Sequence, residues 1–331
     1  MCFDDLEISQ KKEWYTQIQD DTEFPLKRTL KGLVRLSRFD EYAWFILLTS
    51  LLGVMAAQGT ISWQLITLLF ANWLSVAFAF MVNDIEDAPE DAFSTKNFER
   101  NPISSGLISA RHAKLAALGS ALISASLYLI LGLWPFIIGI VCLLLGFLFS
   151  SQALRLKAMA FFDIITYGLV MAGLPFLCSY FAFSNRFNQV WFWPFVFVFS
   201  VRIFDRLHKE IRNIEGDRLS RLSEREAHQG TAVSLGNRTT SAFMMGLIIL
   251  VVLTGVVTFF LINIVPRWVL IVMGILIILF MLPQLIKSQR FDVGRPFSLS
   301  FKEPLERAGA LALILQFILP WLNDLLQLGI F

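Results

Sequence analysis

The residues best suited to chemistry in this sequence are acids that directly follow a long apolar run. The run extends from Trp63 to Val82, and the nine residues after it read NDIEDAPED. Five carboxylates lie in the eight residues from Asp84 to Asp91. Carboxylates at a bilayer boundary are costly unless they pair or bind cations, so they indicate a functional site. Asp84, Asp87 and Asp91 are spaced i, i+3 and i+7, which places them on one face of a helix if the helix persists.

A second polar stretch repeats this spacing beyond a later apolar run. Glu210, Asn213 and Asp217 also lie at i, i+3 and i+7. The apolar run before each stretch would carry both stretches to the same side of a membrane. Carboxylates and substrate phosphates commonly share Mg²⁺ in proteins, and nearby Lys and Arg side chains neutralise the phosphate charge. The basic residues closest to the two stretches are Lys96, Arg100, Lys209, Arg212 and Arg218. The two stretches therefore predict a site at which Mg²⁺ ions bridge a diphosphate.

Pro89 lies within the first stretch and affects its predicted geometry. Proline lacks an amide hydrogen and disfavours helical backbone in the residue before it, so the helix should stop or kink at Ala88. Asp91 would then reach the site from a loop, or not reach it at all.

The elements that must position these residues are membrane helices. The chain has 331 residues, of which 56% are hydrophobic and 16% charged, with a mean hydropathy of +0.63. The charged fraction is below the roughly 25% of soluble domains, which excludes a soluble protein. Nine apolar runs follow, several near the ~20 residues that span a bilayer: 42–58, 63–82, 114–132, 135–150, 159–183, 190–204, 240–263, 267–285 and 308–328. We therefore predict an all-α polytopic membrane protein with nine transmembrane helices.

Positive charge is concentrated in the N-terminal segment and in alternate connections. All of the 28 lysines and arginines lie on this side except Arg186 and Arg267. The positive-inside rule then places the N-terminus and both acidic stretches in the cytoplasm and the C-terminus opposite, in a bacterial inner membrane or an organellar membrane. The predicted organisation is a cytoplasmic segment, 1–41, followed by a nine-helix domain, 42–331. Within the cytoplasmic segment, residues 1–24 form either a flexible tail or further structure, and a surface helix is expected around Leu26–Arg38.

Five segments of the chain resemble the UbiA family of intramembrane prenyltransferases. The stretch from Asn83 to Asp91 matches that family's first aspartate-rich motif, NDxxDxxxD, and residues 209–218 (KEIRNIEGDR) resemble the second. The other similar segments are 100–106 (RNPISSG), 150–157 (SSQALRLK, with Asp163 beyond) and 230–236 (GTAVSLG). The resemblance runs from about residue 33 to 328 in the family's order. It implies nine helices around a central cavity that opens near the cytoplasmic face.

The resemblance implies an activity, a cofactor and a set of site residues. UbiA-type enzymes move a prenyl group from a prenyl diphosphate to a lipophilic, often aromatic, acceptor. The implied cofactor is Mg²⁺, the implied partners are these two substrates and membrane lipids, and no nucleic acid is expected. The implied metal ligands are Asn83, Asp84 and Asp87 with Asp91 nearby for one ion, and Glu210, Asn213 and Asp217 for the second. The implied catalytic residues are Asp87 and Asp217, and the implied diphosphate contacts are Lys96, Arg100, Lys157, Lys209 and Arg38.

The second motif departs from the family's usual acids at two positions. Glu210 keeps the charge on a longer side chain, whereas Asn213 keeps an oxygen donor and loses the charge, so the second metal should bind less tightly. The alternative that the chain is a divergent or non-catalytic member of the family therefore stays open. A transporter with an acidic cation path is a weaker alternative, because the acids lie at one face and none lies mid-span. A CDP-alcohol phosphotransferase is excluded because its Asp-Gly, Ala-Arg run does not occur.

Overall fold

The computed structural model describes residues 26–92, 95–186, 189–220, 231–288 and 302–326. Within these ranges only the backbone is described for 26, 95–96, 212–220, 237, 283–288, 302 and 323–326. The side chains of Lys96, Asn213 and Asp217, which carry three of the predicted roles, therefore lie outside the described part of the chain.

The described residues form one short helix, α1, and nine longer helices, one at each predicted apolar run. A one-turn helix, Thr95–Phe98, lies between the third and fourth of the numbered helices. The numbered helices are α1 (Leu26–Leu36), α2 (Phe39–Ala56), α3 (Trp63–Asp91), α4 (Ala110–Leu131), α5 (Leu133–Ser150), α6 (Phe162–Phe183), α7 (Phe192–Ser220), α8 (Thr231–Val256), α9 (Arg267–Ser288) and α10 (Lys302–Leu326). Helix α6 contains a π-helical turn at Leu169–Gly173.

Among the described residues, seven helices are long and apolar enough to cross a membrane. Helices α7 and α9 are the two long helices outside this set; α9 contributes a shorter apolar stretch, Arg267–Leu282. The all-helical membrane architecture is confirmed. That nine helices cross the membrane stays a prediction. Helix α1 confirms the expected surface helix, since it packs through Leu36 and exposes Leu30 and Val34.

The core lies where α2, α3, α4 and α6 cross. Gly53 on α2 permits the closest approach, because a Cβ there would lie 2.6 Å from the carbonyl oxygen of Phe176 on α6. Small residues at such crossings let helix backbones pack tightly in a membrane. Tyr128, Tyr180 and Phe176 are among the largest fully buried side chains around this crossing.

A buried polar network centred on Asn72 joins these four helices. The Asn72 amide donates to Ser50 Oγ at 2.8 Å and to Ser179 Oγ at 3.0 Å. Its carbonyl oxygen accepts from Tyr128 Oη at 2.7 Å, and Tyr128 in turn lies 3.2 Å from Ser75 Oγ. Because each polar group has a partner, the network specifies how the helices meet.

We expect Asn72→Leu to lower the thermal unfolding midpoint measured in detergent. The substitution leaves the Tyr128 and Ser179 hydroxyls with fewer partners in a dry core, at a cost of about 1–3 kcal/mol for each group left unsatisfied. Thr67→Val on the same helix is a matched control, because its hydroxyl is exposed and donates to a carbonyl of its own helix, that of Trp63. An equal midpoint in the two variants would contradict a structural role for the network.

Helix α3 continues through Pro89, so the expectation that it stops at Ala88 is wrong. The helix ends at Asp91. Two side chains from the following segment bind carbonyls within the last two turns of this helix: Asn101 Nδ2 donates to the Asp84 carbonyl at 2.8 Å, and Ser104 Oγ donates to the Ala88 carbonyl at 2.8 Å. These tertiary hydrogen bonds stabilise a helix end at which proline removes one internal bond.

Candidate active site

The first acidic stretch begins with a buried ion pair between α3 and the start of α2. Asp84 is fully buried, and Arg38 Nε donates to its Oδ2 at 3.1 Å while the second guanidinium nitrogen bonds Oδ1. Burial alone would lower the pKa of Arg38, but the carboxylates of Asp84 and Glu41 raise it, so the guanidinium stays charged. Arg38 has a left-handed backbone with φ of 45°. Such strain persists where surrounding contacts impose it, which is common at functional sites.

Asp87, one turn further along α3, binds the lysine that follows α5. Lys157 Nζ lies 2.6 Å from Asp87 Oδ2 and 3.2 Å from Asn83 Oδ1. Ser150 Oγ, at the end of α5, also donates to Asn83 Oδ1 at 3.1 Å. Side chains from two successive helical turns thus direct oxygen atoms at a single positive charge.

Asp91 lies at the end of α3 and does not join that cluster. Its Oδ2 accepts from Asn101 Nδ2 at 3.0 Å, the same amide that binds the Asp84 carbonyl. Asn101 is fully buried, and its own oxygen accepts from the Ile103 amide at 3.0 Å. The RNPISSG segment therefore holds the end of α3 in place.

Two exposed ion pairs border this cluster. Arg100 lies 2.8 Å from Glu41, and Arg155 lies 3.0 Å from Glu90. Arg100, a predicted diphosphate contact, thus lies at the rim of the cluster in a pair that solvent weakens.

Glu210 of the second stretch lies in α7 and packs against the starts of α6 and α8. Arg206 Nε lies 3.1 Å from Glu210 Oε1, and the Ala232 amide donates to Oε2 at 3.0 Å. Asp163, fully buried, accepts a hydrogen bond from the Thr231 hydroxyl. Burial and a hydrogen bond to Asp163 raise the pKa of Glu210 to about 7, against the opposing effect of Arg206.

Contacts across α5 and α6 connect the two stretches. The Arg206 guanidinium lies 5.8 Å from the ring centroid of Phe149 and 5.5 Å from that of Tyr167. Phe149 directly precedes Ser150, which binds Asn83. Lys209, the predicted diphosphate contact on α7, lies 3.6 Å from Asp205. The described part of both stretches therefore occupies the same end of the bundle.

The oxygen donors of the first stretch fit Mg²⁺. Among the described residues, no group of three or more His, Cys, Asp or Glu side chains forms a ready metal cluster. The Lys157 ammonium instead occupies the point where Asn83 and Asp87 oxygens converge, so it stands in for a cation there. Carboxylate and amide oxygens are the hard ligands that Mg²⁺ prefers, with substrate phosphates completing its shell.

Arg202, a single cation within the apolar run 190–204, is not among the site residues predicted from the sequence. Only 1% of its surface is exposed, and its charge lies between α2, α7 and α10. The signal is in the sequence, since a charged residue between Val201 and Ile203 in a predicted membrane helix indicates a functional position.

The fold and the site together define an integral membrane protein whose charged side chains meet at one end of an apolar helical bundle. The model of the UbiA prenyltransferase family matches residues 45–302. The chain therefore belongs to the UbiA prenyltransferase family, which confirms the resemblance in the sequence.

Solved structures of the same fold support this assignment. A UbiA homologue from Archaeoglobus fulgidus bound to GPP and Mg²⁺ is 20% identical with a TM-score of 0.61, over 87% of this chain and 98% of that one. A UbiA homologue from Aeropyrum pernix K1 is 15% identical with a TM-score of 0.62, over 84% and 97%. A structure of digeranylgeranylglyceryl phosphate synthase is 18% identical with a TM-score of 0.58, over 88% and 95%. No curated protein sequence matches the chain.

Proposed function

We propose that the chain is a Mg²⁺-dependent enzyme that transfers a prenyl group from a prenyl diphosphate to an aromatic or other lipophilic acceptor. The observation that carries the proposal is the convergence of Asn83 and Asp87 oxygens on Lys157 at the charged end of an apolar bundle. A prenyl diphosphate has the matching shape, because its anionic head suits that end and its apolar tail suits the space between helices. Membership of the family and the fold shared with a GPP- and Mg²⁺-bound homologue support it.

The residues of the first stretch divide into two roles. Asn83 and Asp87 would hold one Mg²⁺, which when bound neutralises the diphosphate and favours its departure from the allylic carbon. Lys157 would then turn from Asp87 to a phosphate oxygen. Arg38 is paired with Asp84. In this proposal the pair would orient the start of α2, and the guanidinium would lie beside the diphosphate. Asp91 supports this arrangement through Asn101.

The second stretch would hold the other ion with Asp217 and Asn213. Glu210 is poorly placed to bind a metal in the described arrangement, because Arg206 and the Ala232 amide already bind its carboxyl group. Lys209, Arg100 and Lys96 are proposed as further cations for the diphosphate. The apolar helices would keep water from the allylic cation until the acceptor attacks. The charged end faces the cytoplasm in this proposal, where Mg²⁺ and the diphosphate substrate are available.

We expect Asp217→Ala to abolish turnover without unfolding the protein, because it removes the charged ligand that remains in the second stretch once Glu210 is engaged elsewhere. The measurement is diphosphate release from geranyl diphosphate by purified protein as Mg²⁺ is titrated. Glu303→Gln is the control, since Glu303 is exposed on α10 and pairs with Arg307. Retained activity in Asp217→Ala would remove this residue from the site.

The same assay tests the proposed function itself. Diphosphate release is measured with prenyl diphosphates of several lengths and a panel of phenols, quinone precursors and lipid alcohols. Mg²⁺-dependent release that requires an acceptor supports the proposal, and mass spectrometry of the co-purified lipid then narrows the acceptor class. Absence of turnover with every donor and acceptor would favour a non-catalytic family member, which the Asn213 departure motivates.

A further inference from the structure

Arg202 lies inside the bundle with part of its hydrogen-bonding capacity unused. Its Nη1 contacts Asp205 at 3.1 Å and Glu306 of α10 at 3.4 Å. The guanidinium carbon lies 3.3 Å from the ring centroid of Phe45 on α2. Within the described part of the chain, Nε and Nη2 have no hydrogen-bond partner. Thr49 Oγ1, one turn further along the same face of α2, is also buried and unpartnered among those residues.

The position of Arg202 relates it to the second acidic stretch. Arg202, Arg206 and Glu210 are spaced at i, i+4 and i+8, so they share one face of α7. Eight residues of helix place Arg202 about 12 Å deeper in the bundle than Glu210. A bound diphosphate would occupy the space next to the acids, so the donor's reactive carbon would lie deeper than the acids, on the side of Arg202.

The local charges indicate what kind of ligand these donors would bind. Arg202 carries one positive charge and already faces two carboxylates, those of Asp205 and Glu306. Its charge is therefore compensated, so it does not require a further anion. What it lacks is an acceptor for the buried N–H groups of Arg202, and unpaired donors away from water are costly. An oxygen with no formal charge satisfies them, and a hydroxyl could also donate to the carboxylates.

We propose that Arg202 binds the oxygen-bearing head of the lipophilic acceptor, a hydroxyl or carbonyl on an apolar body, between α2, α7 and α10. This rests on the proposed function and names where the acceptor lies within that site. Phe45 forms one apolar wall at the guanidinium, and Thr49 offers a second polar contact one turn deeper. If Arg202 only stabilised the fold, its contacts with the carboxylates of Asp205 and Glu306 would be sufficient. Its other buried N–H groups would then have no explanation.

The test compares ligands that differ only in the oxygen. The probes are 4-nonylphenol against nonylbenzene, and 1-dodecanol against dodecane, each titrated into the purified full-length protein in detergent. Binding is measured by the shift of the thermal unfolding midpoint and by native mass spectrometry. The variants are Arg202→Gln and Arg202→Lys. The lysine variant keeps the charge beside Asp205 and Glu306, so it should fold even if Arg202→Gln does not. Arg307→Gln is the matched control, because Arg307 is an exposed arginine on α10 paired with Glu303.

We expect the wild type and Arg307→Gln to bind a hydroxyl probe about tenfold or more tightly than its hydrocarbon partner, as a hydrogen bond to a charged donor predicts. Both Arg202 variants should lose this preference and keep their affinity for geranyl diphosphate with Mg²⁺. A preference for the phenol alone would indicate an aromatic acceptor, and for the alcohol alone a lipid alcohol. Either result supports the site.

Three results would overturn the inference. The first is that the wild type shows no preference for the hydroxyl probes. The second is that both Arg202 variants keep that preference unchanged. The third is that Arg202→Lys loses both hydroxyl and diphosphate binding, which would show a structural role. None of these readouts requires turnover. Failure of catalysis with all acceptors would therefore refute the proposed function and leave the binding result to be judged separately.

Discussion

Asp87→Ala is expected to abolish Mg²⁺-dependent diphosphate release, and Asp87→Asn to reduce it by about 10²–10³-fold, the usual cost of losing one electrostatic contact to the transition state. Asp87 is the carboxylate of the first stretch whose two oxygens face the point shared with Asn83 and Lys157. Asparagine preserves the size of the side chain and removes the charge that we propose holds the metal. The measurement is diphosphate release from geranyl diphosphate across a Mg²⁺ titration, with a shift to higher Mg²⁺ demand in Asp87→Asn.

The control for this prediction is Glu90→Gln on the same helix. Glu90 is exposed and pairs with Arg155, so its loss should change neither turnover nor stability appreciably. Asp87 and Lys157 are both partly exposed, so the thermal unfolding midpoint of Asp87→Asn should stay close to that of Glu90→Gln. Turnover in Asp87→Asn equal to that of Glu90→Gln would show that Asp87 holds no metal in the reaction.

The helices and the acidic motifs could be predicted from the sequence because both depend on local patterns. The nine apolar runs located all nine long helices of the described residues, and the i, i+3, i+7 spacing located Asp84, Asp87 and Asp91 on α3. The end of α3 could not be predicted. Its continuation past Pro89 depends on Asn101 and Ser104, which return to the helix from a later segment.

The pairing of charges was also beyond local patterns. Asp84, Asp87 and Asp91 share one sequence motif, yet they bind three different partners: Arg38, Lys157 and Asn101. Two of these partners lie 46 and 70 residues away along the chain. Sequence spacing places side chains on a helix face, but the neighbouring helices decide which cation each side chain meets.

The boundary of α7 explains why Arg202 was overlooked. The sequence predicts an apolar span over 190–204 followed by a charged connection, and the count of positive charges assigns Arg202 to that connection. The structure has one helix, Phe192–Ser220, which continues from the bundle interior into the second acidic stretch. Positive-inside counting assigns residues by their place in the chain, so it cannot separate an exposed arginine from one stacked on Phe45.

Arg38→Gln is expected to destabilise the protein by about 3–5 kcal/mol, the usual cost of leaving a buried charge without its partner. Asp84 has no exposed surface, and Arg38 provides both of the ionic hydrogen bonds to its carboxylate. The measurement is the free energy of unfolding by chemical denaturation in detergent, together with the thermal midpoint. Arg100→Gln is the matched control, because it breaks an exposed pair with Glu41 and should cost about 0–1 kcal/mol.

A double variant separates the uncompensated charge from any other loss at Arg38. In Arg38→Gln with Asp84→Asn, the carboxylate is gone and two neutral amides replace the ion pair. We expect this double variant to be more stable than Arg38→Gln alone, since the buried negative charge, and not the missing guanidinium contact, causes most of the loss. The single variant Asp84→Asn is measured alongside. If the effects of Arg38→Gln and Asp84→Asn simply add in the double variant, Arg38 stabilises the fold through packing on Phe80, whose ring centroid lies 5.5 Å from the guanidinium, and the ion pair is not what holds α2 against α3.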